Sequence, residues 1–124
     1  MKNKVETIQF MPDKKRLYNT LKKCWSVKSS TKWEKTNPSK GQCSVTALVI
    51  HDYFGGSILK TKINGVWHFY NKINDKVLDL TSDQFDTPIV YQDLEGTIEE
   101  ALTDCSQEQY EYLKTQFELH YFHS

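Results

Sequence analysis

The sequence has few of the features that mark secreted proteins. Only three of its 124 residues are cysteines, Cys24, Cys43 and Cys105, so they cannot all pair with one another. The N-terminus also lacks the charged segment followed by an apolar segment that is typical of a secretion signal. Together these features predict free thiols and a location in the reducing cytoplasm.

Long apolar runs and an excess of one charge are absent as well. The longest apolar run, residues 47–50, is far shorter than the ~20 residues of a bilayer-spanning helix, which argues against a membrane protein. Sixteen Lys and Arg residues balance sixteen Asp and Glu residues. Because the sequence also has no basic stripe with stacking aromatics and no glycine-rich phosphate loop, we expect no nucleic-acid partner.

The length of the chain and the order of its predicted helices and strands indicate a single α+β domain over residues 1–124. Apolar residues recur at helical spacing in several segments, and a capping box at Ser106 and Gln109 precedes the last of them. The predicted helices cover residues 12–25, 43–54, 98–102 and 106–121. The second is apolar on most sides, so we expect it in the interior.

Three strands are predicted between the second and third helices. They cover residues 57–63, 66–73 and 76–80. The dipeptides Asn64-Gly65 and Asn74-Asp75 favour two-residue hairpin turns, so the strands should form an antiparallel meander. Residues 26–42 and 81–96 are predicted to be irregular.

Cys43 stands at the predicted start of the buried helix, and two interpretations of it are possible. Free cysteine is a small hydrophobe that is often buried for packing. A cysteine at a helix N-terminus, however, faces unpaired N–H groups and the positive end of the helix dipole, which favour a reactive thiolate.

A reactive thiol near neutral pH needs a partner, usually a histidine that a third polar group orients. His51 lies eight residues after Cys43 on the same helix, which places it ~12 Å away. His120 and His123 fall at the C-terminal end of the last helix, where a cation complements the dipole. This leaves His68, on the second strand, as the candidate partner of the Cys43 thiol.

The strand register predicts a carboxylate beside His68. With an even-numbered turn between the second and third strands, His68 and Asp79 share a face and lie opposite or diagonal to each other. Asp79 is flanked by leucines on what we expect to be a central strand, where a carboxylate is unfavourable unless a partner uses it.

Three segments in this order, GQCSVTALVIHDYFGG, GVWHFYN and VLDLTSDQF, resemble the YunG-type family of small bacterial proteins. The chain order Cys, His, Asp also resembles the papain-like superfamily of cysteine peptidases, transglutaminases and related acyl-transfer enzymes. The resemblance covers roughly residues 37–85. It implies a papain-like α+β core, in which the helix that begins with the cysteine packs on a small antiparallel sheet between N- and C-terminal helices.

The resemblance also implies roles for individual residues. Cys43 would be the nucleophile, His68 the general base or ion-pair partner, and Asp79 the group that orients the imidazole. The oxyanion hole would combine the backbone N–H of Cys43 with one side-chain amide, from either Asn37 or Gln42. Asn37 lies at the offset where papain-type peptidases have a glutamine, whereas Gln42 directly precedes the thiol.

These expectations describe a cysteine-dependent hydrolase or acyltransferase for an amide, isopeptide or ester bond, with a small-molecule, peptide or protein substrate and no cofactor. The alternative is a non-catalytic binding module that keeps the cleft. A zinc site is a further alternative, although no CxxC, HxH or HExxH spacing occurs. Asn71 is expected either to cap a hairpin edge or to donate into the cleft, and Phe85 to be buried.

Overall fold

A computed structural model describes residues 12–123 of the chain. The predicted domain of residues 1–124 therefore extends beyond the described residues at both ends. The helices are α1 (Lys14–Cys24), α2 (Cys43–Phe54), α3 (Ile98–Thr103) and α4 (Gln107–Phe122). The strands are β1 (Ser57–Ile63), β2 (Val66–Ile73), β3 (Lys76–Leu78) and β4 (Leu94–Glu95), and a 3-10 turn covers Ser82–Gln84. The mixed α+β class predicted from the sequence is confirmed.

The four strands form one antiparallel sheet in the order β3-β2-β1-β4. The predicted meander is confirmed for β1 to β3. Asn64, Gly65, Asn74 and Asp75 all have positive φ angles of 51° to 81°, as a two-residue turn that matches strand twist requires. Both hairpins therefore have the register that their turn residues predicted.

Two details of the sheet differ from the prediction. β3 ends at Leu78, two residues early, and lies at an edge of the sheet, so Asp79 follows an edge strand and does not sit on a central one. The segment predicted to be irregular contains β4, which pairs with the other side of β1 through Leu59 and Lys60. A two-residue strand is too short to leave a periodic pattern in the sequence.

Helix α2 is the centre of the core, as its all-round apolar character predicted. Every residue from 44 to 50 is buried. One side packs with α1 and α4 in a cluster that includes Leu21, Ile50 and Phe117, and the other side packs with the sheet through Ala47 and Leu48. This position fixes the N-terminal end of α2, and with it Cys43, relative to the sheet.

The flanking helices begin where their caps place them. Asp13 accepts hydrogen bonds from the N–H groups of Lys15 and Arg16, so α1 starts two residues later than predicted. The predicted capping box of Ser106 and Gln109 is present at the start of α4.

No helix within residues 12–123 has both the length and the apolar character needed to cross a bilayer.

Candidate active site

The two faces of the sheet pack against different parts of the chain. Phe69 on β2 packs with Ala47 and Leu48 of α2. His68 and Tyr70, on the opposite face, contact the segment that follows β3: the ring of His68 lies 5.2 Å from that of Phe85, and the ring of Tyr70 lies 4.9 Å from that of Tyr91. Strand alternation therefore separates an apolar face from a face that carries the candidate histidine.

His68 and Asp79 form a buried hydrogen-bonded pair. The register pairs Asn71 with Leu78, so Asp79 is a diagonal neighbour of His68, which is one of the two arrangements predicted. The His68 Nε2 atom lies 2.7 Å from Asp79 Oδ2, and the side chains are only 2% and 4% exposed. A carboxylate at this atom fixes the ring orientation and the tautomer with a proton on Nε2.

Asp79 receives further donors that hold it in place. The Tyr91 hydroxyl donates to Oδ2 at 2.8 Å, and the Thr81 backbone N–H donates to Oδ1 at 3.1 Å. Burial, followed by the bond to Asp79, raises the pKa of Tyr91, so its hydroxyl stays a neutral donor. With both carboxylate oxygens occupied, the buried charge is compensated by hydrogen bonds.

The other nitrogen of His68 has the opposite environment. Nδ1 is buried and makes no well-aligned hydrogen bond to any residue between 12 and 123. Burial lowers the pKa of the imidazole, but the hydrogen bond and charge of Asp79, together with the proximity of Cys43, raise it more, to about 9. The Cys43 thiol therefore lies near the ring without an aligned bond, a geometry common at catalytic pairs in the absence of substrate.

Cys43 is the first residue of α2 and is partly exposed. The helix N-terminus beside it has no side-chain cap, because the N-cap residue Gln42 makes no capping bond. The other two thiols are different. Burial raises the pKa of Cys24 to about 11, and burial likewise raises the pKa of Cys105. These two cysteines are therefore internal references for Cys43.

Cys43 and His68 open into the same cleft, which has a volume of about 280 Å³. Its walls come from the loop before α2, from the tip of the β1–β2 hairpin and from the turn after β3. Trp67 and Phe85 line it with apolar surface. The cleft gives a small reactant access to the partly exposed thiol, whereas the imidazole beside it is buried.

The two amides predicted as oxyanion-hole candidates do not line this cleft. Asn37 Nδ2 donates to the Gln84 carbonyl at 3.2 Å, which ties the loop before α2 to the turn after β3. Gln42 is fully buried and its Nε2 lies 3.4 Å from the Ser26 carbonyl. Gln84 is an amide that does line the cleft, where its Oε1 accepts the Gly41 N–H.

Several other residues have contacts that the sequence did not indicate. Asn71 neither caps a hairpin edge nor donates into the cleft: its Nδ2 donates to the Ala47 carbonyl at 3.0 Å and joins β2 to α2. Phe85 is only partly buried and lines the cleft, which corrects the prediction that it is buried. Nothing in the sequence indicated the roles of Tyr91 and Thr81, because their contacts with Asp79 depend on how an irregular segment folds back against the sheet.

A metal site finds no support in the part of the chain that the structure describes. Within residues 12–123 no three His, Cys, Asp or Glu side chains are grouped so that they could hold a metal ion. His68 interacts with both the Cys43 thiol and the Asp79 carboxylate. That arrangement suits proton transfer and ion pairing better than shared ligation of one ion.

A family model described as "YunG protein" matches residues 13–121. The chain belongs to the YunG family. It is 53% identical over 100 residues to the Bacillus subtilis (strain 168) protein described as "Uncharacterized protein YunG", an alignment that covers 81% of this chain and 87% of that protein. The YunG resemblance drawn from the three sequence segments is confirmed and extends over nearly all of the described residues. No solved structure matches the chain significantly.

Proposed function

We propose that the protein is a cysteine-dependent hydrolase or acyltransferase that acts on an amide, isopeptide or ester carbonyl. The observation that carries the proposal is the asymmetric setting of His68. Its Nε2 is held by a buried carboxylate, whereas its buried Nδ1 has no aligned partner among residues 12–123, and the Cys43 thiol lies close to the ring. Cys43 is assigned as the nucleophile, His68 as the proton carrier and Asp79 as the orienting group.

The chemistry begins with a proton on His68. Because the pKa of the imidazole is raised to about 9, His68 is cationic near neutral pH and stabilises a thiolate at Cys43. The sulfur attacks the carbonyl carbon, and the tetrahedral intermediate collapses as the bond to the leaving nitrogen or oxygen breaks. The leaving group takes the His68 proton.

A thioester on Cys43 remains, and either water or an amine attacks it. His68 accepts the proton of the incoming nucleophile, and the carbon–sulfur bond breaks. The products are an acid in hydrolysis or a new amide in transfer, and the thiolate–imidazolium pair is restored. Asp79 holds the ring in the orientation that both steps need.

The oxyanion would be stabilised at the N-terminus of α2. The backbone N–H of Cys43 lies where the helix has no side-chain cap and where the dipole favours negative charge. Asn37 and Gln42 stay as candidates for the second donor. Either would first have to leave its present contact with the Gln84 or Ser26 carbonyl.

We also propose that the fold is related to that of papain-like enzymes. The support is the placement of the cysteine at the start of a buried helix packed on an antiparallel sheet, with the histidine on a strand and the aspartate after the next strand. This is a fold-level analogy, and the catalytic proposal depends on the site instead.

Site-specific alkylation tests the proposal. Iodoacetamide should modify Cys43 at least about tenfold faster than Cys105 or Cys24 at about pH 6.5, because the ion pair supplies thiolate there. His68→Ala should remove this advantage, and His51→Ala is the matched control that should retain it. Equal rates for all three thiols, unchanged in His68→Ala, would overturn the assignment of Cys43 as a nucleophile.

A non-catalytic binding module is the second candidate function, and the burial of the His68 side chain, which is only 2% exposed, favours it. Such a module would bind a ligand in the cleft without any reaction that depends on Cys43. Turnover that disappears in Cys43→Ala would exclude it.

A further inference from the structure

The cleft at Cys43 has one wall lined mainly by apolar residues and another wall that contributes two lysines. One wall is the tip of the β1–β2 hairpin with Ile63, Val66 and Trp67, and Phe85 continues its apolar surface. The other wall is the loop before α2, which contributes Lys32 and Lys40; no acidic side chain is among the described residues that line the cleft. The volume of about 280 Å³ is near the lower end of small-molecule sites, about 300–1,000 Å³.

Lys32 is the cation that this wall offers to a ligand. A methyl group at Gly41 would lie 2.7 Å from Lys32 Cβ, so the stem of Lys32 packs against the loop two residues before Cys43. Within residues 12–123 no carboxylate lies within 4.0 Å of the Lys32 ammonium group. Burial raises the pKa of Asp104, and the charge of Lys32 opposes that rise only in part. Lys40, by contrast, is paired with Glu34 at 2.8 Å.

The position of His68 decides which part of a substrate meets which wall. The leaving nitrogen of an amide must reach the imidazole that protonates it. His68 lines the cleft together with Trp67, and its ring contacts Phe85, so the leaving group lies against the apolar wall. The acyl group then extends from Cys43 toward Gly41 and Lys32.

We infer that the substrate is an amide whose acyl group ends in a carboxylate and whose amine is apolar, that is, a monoamide of a short dicarboxylic acid. The inference depends on the proposed function. The Lys32 ammonium binds the carboxylate, and Trp67 and Phe85 contact the amine substituent. Attack by Cys43 Sγ breaks the carbon–nitrogen bond, His68 gives its proton to the amine, and water releases the dicarboxylic acid from the thioester.

Binding can be measured apart from catalysis in Cys43→Ala. The probe is glutaric acid monoanilide, and the matched control is its methyl ester, which keeps the length and loses the charge. Calorimetry should show about 1.5-fold to fivefold tighter binding of the acid, the range expected for one ion pair with an exposed lysine. Lys32→Gln should abolish this preference and leave binding of the ester unchanged.

Lys35→Gln is the control for the charge change, because Lys35 is in the same loop and does not line the cleft. It should retain the preference for the acid. Equal binding of acid and ester, loss of the preference in Lys35→Gln as well, or binding of neither compound would overturn the inference.

The release of 4-nitroaniline from glutaryl 4-nitroanilide by the unmodified chain separates the two proposals. The control is the methyl ester of glutaryl 4-nitroanilide. If 4-nitroaniline is released from this ester at the same rate as from the acid, and only when Cys43 is present, the result would support the proposed function and overturn the substrate class. A Lys32-dependent preference in binding, with no Cys43-dependent release from either compound, would retain the recognition of the ligand and overturn the hydrolase.

Discussion

The two faces of the β1–β2 hairpin are built on the same strands but from different chemistry. Toward α2 the hairpin presents Ile58 and Phe69, which are buried among Ala47, Leu48 and Ala101. Toward residues 79–93 it presents Thr61 and His68, which are equally buried but polar. Thr61 donates to the Val90 carbonyl at 3.0 Å, and His68 pairs with Asp79.

The difference shows that burial alone does not make the two faces equivalent. Apolar burial stabilises in proportion to the area removed from water, whereas buried polar groups first lose their hydration and regain it only through well-placed partners. The apolar face should therefore supply most of the folding stability. The polar face should contribute less and should respond to pH.

The largest expected effect is on the apolar face. Phe69→Ala removes a side chain that is 3% exposed, and it should lower the free energy of unfolding by ~3–5 kcal/mol, because a cavity adds to the lost transfer energy. Urea denaturation measures the change. Val77→Ala on the edge strand, where the side chain is 43% exposed, is the control and should change stability by no more than ~0.5 kcal/mol. Similar losses in both variants would contradict the comparison.

The second effect is the pH dependence of the polar face. The pKa of His68 is raised from 6.5 to about 9, so its stabilising contribution is complete below the unfolded value and is lost as the pH rises through about 9. The stability difference between the unmodified chain and His68→Gln should therefore shrink by roughly 3 kcal/mol from about pH 6 to about pH 10. A constant difference across this range would mean that the histidine is not held in its charged form.

The smallest effect concerns the hydrogen bond from the Tyr91 hydroxyl to Asp79 Oδ2, the same oxygen that His68 contacts. Tyr91→Phe should change stability by less than ~1 kcal/mol. It should also raise the pKa of His68 further, because Oδ2 then accepts only the imidazole proton. An NMR titration of the histidine resonances measures this shift. Tyr112→Phe on α4 is the matched control; an unchanged or lower value in Tyr91→Phe would show that Tyr91 does not act through Asp79.

The parts of this structure that the sequence predicted are those with local signals. The hairpin turns at Asn64 and Asn74 set the register, and the register alone places Asp79 diagonal to His68. The apolar run after Cys43 placed α2 in the core. Each of these signals lies within a few residues of the feature that it predicts.

The remaining features depend on chain folding over long distances. Tyr91 reaches Asp79, and Asn37 reaches the Gln84 carbonyl, only because irregular segments pack against the sheet and against each other. Asn71 was ambiguous because an asparagine on a strand has many possible acceptors, and the helix carbonyl of Ala47 is set by tertiary packing. The apolar and cationic walls of the cleft likewise come from separate parts of the chain.

The central claim is that the Cys43 sulfur and the His68 imidazole share one proton as an ion pair. A thiolate absorbs more strongly and at longer ultraviolet wavelength than the thiol, so a pH titration of the absorbance difference between the unmodified chain and Cys43→Ala measures the charge on this sulfur. We expect substantial thiolate at about pH 6.5 that disappears in His68→Ala. A signal that rises only near the ordinary cysteine pKa of ~8.5, and equally in both proteins, would contradict the account.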